Sequence, residues 1–157
     1  MIILQGLISG LTATILFDLF SKSLSYAYGI TEPKWHLLGR YFIGYKQKKY
    51  FRKFLEEDEE ESNELLWGYT IHYAIGIIYG LFYVWLNILF FDFPSLLIAY
   101  LFGFITVLGA WCYLMPFAYN LGFFASKTDQ QFKILAQNLI GHFVFGTGLF
   151  IGYYFIF

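Results

Sequence analysis

Leu65–Phe91 reads LLWGYTIHYAIGIIYGLFYVWLNILFF and contains no Asp, Glu, Lys or Arg. About 20 predominantly apolar residues are enough for a helix to cross the hydrocarbon core of a bilayer, which is about 30 Å thick. Backbone groups within lipid must be paired internally, and this stretch lacks the alternation of polar and apolar residues that is typical of barrel strands. We therefore expect it to form a transmembrane helix.

The rest of the chain supports a membrane protein. Of its 157 residues, 59% are hydrophobic and 13% are charged, whereas a soluble domain is about 25% charged. We predict an all-α, integral membrane four-helix bundle that forms a single transmembrane domain over residues 1–157. Its spans are predicted at about 2–24, 65–91, 96–121 and 135–157, with one long loop at 25–64.

The basic residues predict the orientation of these helices. All 10 Lys and Arg side chains lie between Lys22 and Lys53 or at Lys127 and Lys133. Successive spans cross the membrane in opposite directions, so the loop after the first span and the loop after the third span lie on the same side. The positive-inside rule makes that side cytoplasmic. We expect a multi-pass protein of the inner (cell) membrane with both termini outside.

Three ionisable side chains interrupt the predicted spans: Asp18, His72 and His142. An ionisable group at the centre of a membrane helix costs roughly 2.5–3.5 kcal/mol on insertion scales, so it normally faces the interior of the bundle. All three fall in the cytoplasmic half of their helices. The sequence predicts that they form one polar cluster open to the cytoplasm, with Arg40 folding over it and Asn138 extending the face of His142.

Three interpretations of this cluster remain open. The side chains could be structural, each making hydrogen bonds across the bundle. They could instead relay protons or ions, because histidine changes its charge near neutral pH. Two His and one carboxylate are also a recognised metal-ligand set, which would consist of Asp18, His72 and His142.

Small residues four positions apart on a helix allow another helix to approach closely. Such pairs occur in three of the predicted spans, and a further glycine follows His142 by four positions, so we expect a tightly packed bundle. The glycines are Gly6 with Gly10, Gly76 with Gly80, Gly148 with Gly152, and Gly146.

Partners other than the lipid bilayer are less closely defined. The segment Lys46–Lys53 is either part of an amphipathic helix at the membrane surface or a site for anionic lipid headgroups. The net charge of -1 gives no indication of a nucleic-acid partner, and a homo- or hetero-oligomer is compatible with the sequence. The phosphate-binding loop, the serine elbow and the His-Glu-x-x-His motif are absent, and no cofactor is predicted.

Several strings of residues carry a resemblance to a known family. They are Asp18 at the end of the first span, Trp35–Tyr41, Gly68–Gly76, Gly103–Val107, Ala125–Thr128 and His142–Leu149. Together they resemble a bacterial family of small inner-membrane proteins known as domain of unknown function twenty-nine thirty-eight. The resemblance implies that Asp18, Arg40, His72 and His142 match marked positions of that family. It implies no activity.

These observations lead to one functional hypothesis and two rivals. The first is a transport-related or accessory membrane protein that uses the polar cluster. The second is a purely structural subunit of a larger membrane complex, whose aromatic faces would be partner surfaces. The third is a metal-dependent intramembrane enzyme.

Overall fold

The computed structural model describes residues 1–46, 55–91 and 93–157, and of Lys46 it describes only the backbone. Over these residues the chain is all-α, which confirms that part of the predicted fold class. The α-helices are α1 (Ile2–Tyr28), α2 (Trp35–Lys46), α3 (Glu64–Phe90), α4 (Leu96–Gly109) and α5 (Gln131–Tyr154).

Four helical segments in the described part of the chain are long and apolar enough to cross a membrane. They confirm the prediction of four candidate spans in a multi-pass protein, and they are Ile2–Tyr28, Glu64–Phe90, Leu96–Ala118 and Gln131–Tyr154.

The helix ends differ from the predicted spans for physical reasons. The first helix continues beyond residue 24 to Tyr28, because polar and aromatic residues keep helical geometry after the apolar stretch has ended. It ends where Gly29 adopts a left-handed φ of 62° and donates its N–H to the carbonyl of Ser25. The last helix, α5, begins at Gln131, four residues before the predicted start at residue 135. The region 25–64, which was predicted to be a loop, contains the helix α2.

The third span changes its helical type near Pro116. From Ala110 to Ala118 the α-helix becomes a π-helix, in which each N–H pairs one residue further back than in an α-helix. The N–H of Tyr119 accordingly donates to the carbonyl of Leu114 at 3.0 Å. Proline has no N–H and crowds the carbonyl four residues earlier, and the wider turn accommodates both effects.

The described chain divides into two compact units. The first, which we call the bundle unit, comprises the described residues of 1–33, 73–106 and 139–157. The second, which we call the loop unit, comprises the described residues of 34–72 and 107–138.

Within the bundle unit, α1 and α3 touch through their backbones. Gly10 lies so close to Gly76 that a Cβ atom on Gly10 would collide with the carbonyl oxygen of Gly76. A Cβ atom on Gly80 would collide with the carbonyl oxygen of Gly6 and the nitrogen of Gly10. The glycine pairs of these two helices therefore face one another across a single contact.

The last helix packs against α1 in a similar way. A Cβ atom on Gly148 would lie 2.5 Å from the Cα atom of Ala13, and one on Gly152 would lie 2.7 Å from the Cα atom of Ser9. The Ser9 hydroxyl donates to the carbonyl of Leu149 at 2.8 Å. Small residues thus allow both close packing and a hydrogen bond between α1 and α5.

The connection between α3 and α4 is closed by a buried polar network. The Ser95 N–H donates to Asn87 Oδ1 at 2.6 Å, and Asn87 Nδ2 donates to the carbonyl of Tyr83 at 2.7 Å. The Tyr83 hydroxyl donates to the carbonyl of Ser95 at 3.0 Å. These bonds satisfy polar groups that would otherwise be unpaired in an apolar environment.

Within the loop unit, α2 lies against the first turns of α3. A Cβ atom on Gly39 would collide with the carbonyl oxygen of Glu64, and one on Gly68 would collide with that of Trp35. A hydrophobic cluster completes this unit, and it is built around Leu37, Tyr41, Leu55 and Ala118.

Candidate functional site

His142 is a half-buried residue of α5 in the bundle unit. Its Nδ1 atom lies 3.1 Å from the hydroxyl oxygen of Thr106 on α4. That hydroxyl donates its one hydrogen to the carbonyl of Gly103 at 2.9 Å, so we assign the proton between Thr106 and His142 to Nδ1. In this tautomer Nε2 is the basic nitrogen of the ring.

Close helix packing holds the His142 backbone in place. A Cβ atom on Gly103 would lie 2.5 Å from the carbonyl oxygen of His142, and one on Gly146 would lie 2.7 Å from that of Ala99. Glycines on both α4 and α5 therefore bring the two helices together at the level of the imidazole, within hydrogen-bonding reach of Thr106.

Aromatic rings from α1 and α5 surround the His142 imidazole. The ring of Phe17 meets it edge-on with the centroids 6.1 Å apart, and the ring of Phe145 lies at 6.3 Å. Phe17 also limits the space beside Gly141, where a Cβ atom would lie 2.8 Å from the ring. Asp18 follows Phe17 in sequence and is half-buried, so α1 carries a carboxyl group next to the residue that contacts His142.

His72 belongs to the loop unit, where it stacks on an aromatic side chain. Its ring lies 3.9 Å from that of Trp35, with an angle of 22° between the planes. Trp35 is the first residue of α2 and His72 lies two turns into α3, so this stack continues the close contact between the two helices.

Arg40 is buried, with only 3% of its surface exposed. Its Nε and Nη2 atoms donate to the two carboxylate oxygens of Glu64 at 2.7 and 2.8 Å, and Nη1 donates to the carbonyls of Leu55 at 3.2 Å and Asp58 at 2.9 Å. The side-chain hydrogen bond to Glu64 raises the pKa of Arg40, which stays charged. Arg40 thus joins α2, the segment before α3 and the start of α3.

The other predicted site residues have simpler surroundings. Asn138 Nδ2 donates to the carbonyl of Ile134 at 3.0 Å, within its own helix. In the described ranges no group of three or more His, Cys, Asp and Glu side chains is placed to hold a metal ion. A joint cluster of Asp18, His72 and His142 stays a prediction. The segment Lys46–Lys53, apart from the backbone of Lys46, lies outside the described residues.

Thr106 and Glu64 are the partners that the sequence interpretation missed. Thr106 lies within Gly103–Val107, and Glu64 lies four residues before Gly68–Gly76. Both stretches carry the family resemblance, and that resemblance could have pointed to the two residues. A threonine is common in membrane helices, however, and Glu64 comes shortly after a run of six acidic residues, Glu56–Glu61, so nothing in the sequence distinguishes it as the partner of a buried arginine.

Comparison with known proteins gives one match. The model of a family described as "Protein of unknown function (DUF2938)" matches residues 7–155, nearly the whole chain, and confirms the resemblance. No curated protein and no solved structure matches the chain.

Proposed function

The chain belongs to the DUF2938 family, and we propose that it is a transport-related protein of the inner membrane that moves protons or cations past His142. The family carries no described activity, so the proposal is derived from the residues of the chain itself. We further propose that both termini face outward and that the loops carrying Lys and Arg face the cytoplasm.

The observation that carries this proposal is the setting of His142 in α5. An imidazole within an apolar helix is costly to insert, and such residues commonly mark proton and ion pathways. Its Nδ1 atom lies 3.1 Å from the hydroxyl oxygen of Thr106, so in the proposed pathway Nε2 is the atom that accepts and releases the proton. In this proposal Asp18 of α1, which is half-buried and follows Phe17 in sequence, is the second ionisable group of the pathway.

A structural role is the second candidate. It is favoured by the way in which polar side chains of the bundle unit bond to nearby backbone, as in the contacts of Ser9 with Leu149 and of Thr14 with Gly10, both at 2.8 Å. In this case His142 and Thr106 would only hold α4 against α5, and the outward aromatic side chains would bind other subunits.

Proton flux distinguishes the two candidates. We expect purified protein in liposomes to accelerate the collapse of an imposed pH gradient, followed by a pH-sensitive dye in the lumen. The variant His142→Gln, which keeps a hydrogen-bonding side chain but has no ring nitrogen to titrate, is expected to lower that rate to the level of protein-free liposomes. The matched control is His36→Gln, because His36 lies on α2 outside the candidate spans.

Two results would count against the proposal. One is wild-type protein that leaves the gradient as stable as empty liposomes do; the other is His142→Gln protein that conducts as well as the wild type. A circular dichroism spectrum and an unfolding curve of each variant show whether His142→Gln keeps the fold, so that lost flux is not confused with lost structure.

A further inference from the structure

Two neighbouring helices approach α5 closely beside His142. On the α4 side, a Cβ atom on Gly103 would lie 2.5 Å from the carbonyl oxygen of His142. On the α1 side, a Cβ atom on Gly141 would lie 2.8 Å from the ring of Phe17, and the same ring meets the imidazole edge-on with the centroids 6.1 Å apart. Neither contact leaves room for a methyl group, so a hydrated metal ion, which is wider, does not fit through them.

A metal cation without its water needs oxygen ligands, such as the rings of backbone carbonyls that line cation channels. The carbonyls at the contact between α4 and α5 are already used. The carbonyl of Gly103 accepts the Thr106 hydroxyl at 2.9 Å. It and the carbonyl of His142 also lie inside continuous α-helices, where the N–H four residues later bonds to each.

A proton has different requirements. It moves when N–H and O–H bonds are made and broken, so it needs a titratable nitrogen and water rather than a passage for an ion. His142 supplies that nitrogen within an apolar helix. Its Nδ1 atom lies 3.1 Å from the hydroxyl oxygen of Thr106, a buried residue whose own hydrogen goes to the carbonyl of Gly103. Nδ1 is then the donor to Thr106, and Nε2 is the nitrogen that exchanges protons.

We propose that the species moved past His142 is the proton itself, and that Thr106 is its positioning residue. Nε2 of the neutral ring takes a proton from hydronium on one side, and the electron pair of the broken O–H bond stays on the oxygen. Nε2 then gives the proton to a water molecule on the other side. The ring returns to its first tautomer, so no co-reactant is consumed. This inference rests on the proposed function and narrows its substrate to the proton.

Sodium ions provide the test of this choice. Liposomes that contain the full-length protein are assayed twice, for acidification of the lumen with a pH-sensitive dye and for uptake of radioactive sodium at constant pH. A low concentration of K⁺ with valinomycin carries the balancing charge in both assays. We expect the same rate of acidification when N-methylglucamine replaces sodium in the buffer, and sodium uptake no faster than in protein-free liposomes.

The possible results separate this inference from the proposed function. Sodium uptake above that of protein-free liposomes, or acidification that requires sodium, would overturn the choice of the proton. If that sodium uptake is lost in His142→Gln and kept in His36→Gln, a cation pathway past His142 stands. The absence of both fluxes in the wild type would overturn the proposed function and this inference together.

Thr106 is tested by two variants of similar size. Thr106→Val removes the hydroxyl that accepts the Nδ1 hydrogen, whereas Thr106→Ser keeps it. Nitrogen NMR of isotope-labelled histidine distinguishes a hydrogen on Nδ1 from one on Nε2, and the signals that vanish in His142→Gln are those of His142. We expect the Nδ1–H form in the wild type and in Thr106→Ser. In Thr106→Val we expect a shift toward the Nε2–H form and a loss of proton flux.

The tautomer is a readout that a merely structural threonine would not move. A circular dichroism spectrum of each variant shows whether the fold is kept. A wild-type His142 ring with its hydrogen on Nε2, or Thr106→Val protein with unchanged signals and unchanged flux, would show that Thr106 does not position the ring.

Discussion

Replacing Arg40 with methionine is expected to lower the free energy of unfolding by about 3–5 kcal/mol, the range found when one partner of a buried ion pair is removed. The guanidinium of Arg40 makes both hydrogen bonds of a bidentate pair with Glu64 and also binds the carbonyls of Leu55 and Asp58. In Arg40→Met the Glu64 carboxylate keeps the N–H of Glu61 but loses its counter-ion in a largely buried position. Chemical denaturation in detergent micelles, followed by tryptophan fluorescence, measures the loss.

An exposed ion pair in the same unit provides the matched control. Lys34 also pairs with a glutamate, Glu56, but the two side chains are 42% and 64% exposed. Such pairs contribute about 0–1 kcal/mol, so Lys34→Met should be nearly neutral. The double variant Arg40→Met with Glu64→Met should recover part of the loss. An Arg40→Met protein as stable as Lys34→Met would show that the buried pair contributes little.

Replacing Gly80 with alanine is expected to cost about 1–3 kcal/mol, the usual penalty for inserting a methyl group into a well-packed interior. The new Cβ atom would collide with backbone atoms of Gly6 and Gly10, which cannot move away as a flexible side chain can. The helices α1 and α3 would have to separate, and they would lose contact along their shared face. The shift of the unfolding midpoint in detergent measures this cost.

Gly141→Ala is the comparison for this prediction. The three atoms nearest to its Cβ atom would all belong to the ring of Phe17, the first at 2.8 Å, and a ring can tilt away. We expect a smaller loss of stability than in Gly80→Ala. Equal losses in the two variants would mean that the backbone contact between α1 and α3 has no special importance.

Hydropathy was sufficient to predict four helices that are long and apolar enough to cross a membrane, because the cost of unpaired backbone in lipid leaves few alternatives to a helix. It could not locate the helix ends. Tyr28 is in α1 although the apolar stretch stops earlier, and Gln131 opens α5 although it is polar. The π-helix from Ala110 depends on how the chain accommodates Pro116, which no periodic pattern reveals.

The site was predicted less completely than the fold. His142 stood out because it is ionisable within an apolar stretch, but its contact with Thr106 depends on the rotation of α4 against α5. Arg40 and Glu64 are 24 positions apart, and their pairing requires α2 to lie against α3 through Gly39 and Gly68. Contacts of this kind follow from helix packing, which a single sequence does not specify.

Cysteine labelling of whole cells tests the central claim, which is a four-span protein with its basic loops inside. In a background with Cys112→Ala, one variant carries Phe157→Cys at the end of the described chain and another carries Asp129→Cys between the third and fourth spans. A membrane-impermeant maleimide should react with Phe157→Cys in intact cells and with Asp129→Cys only after permeabilisation. Labelling of Asp129→Cys from outside, or of both positions alike in intact cells, would contradict this topology.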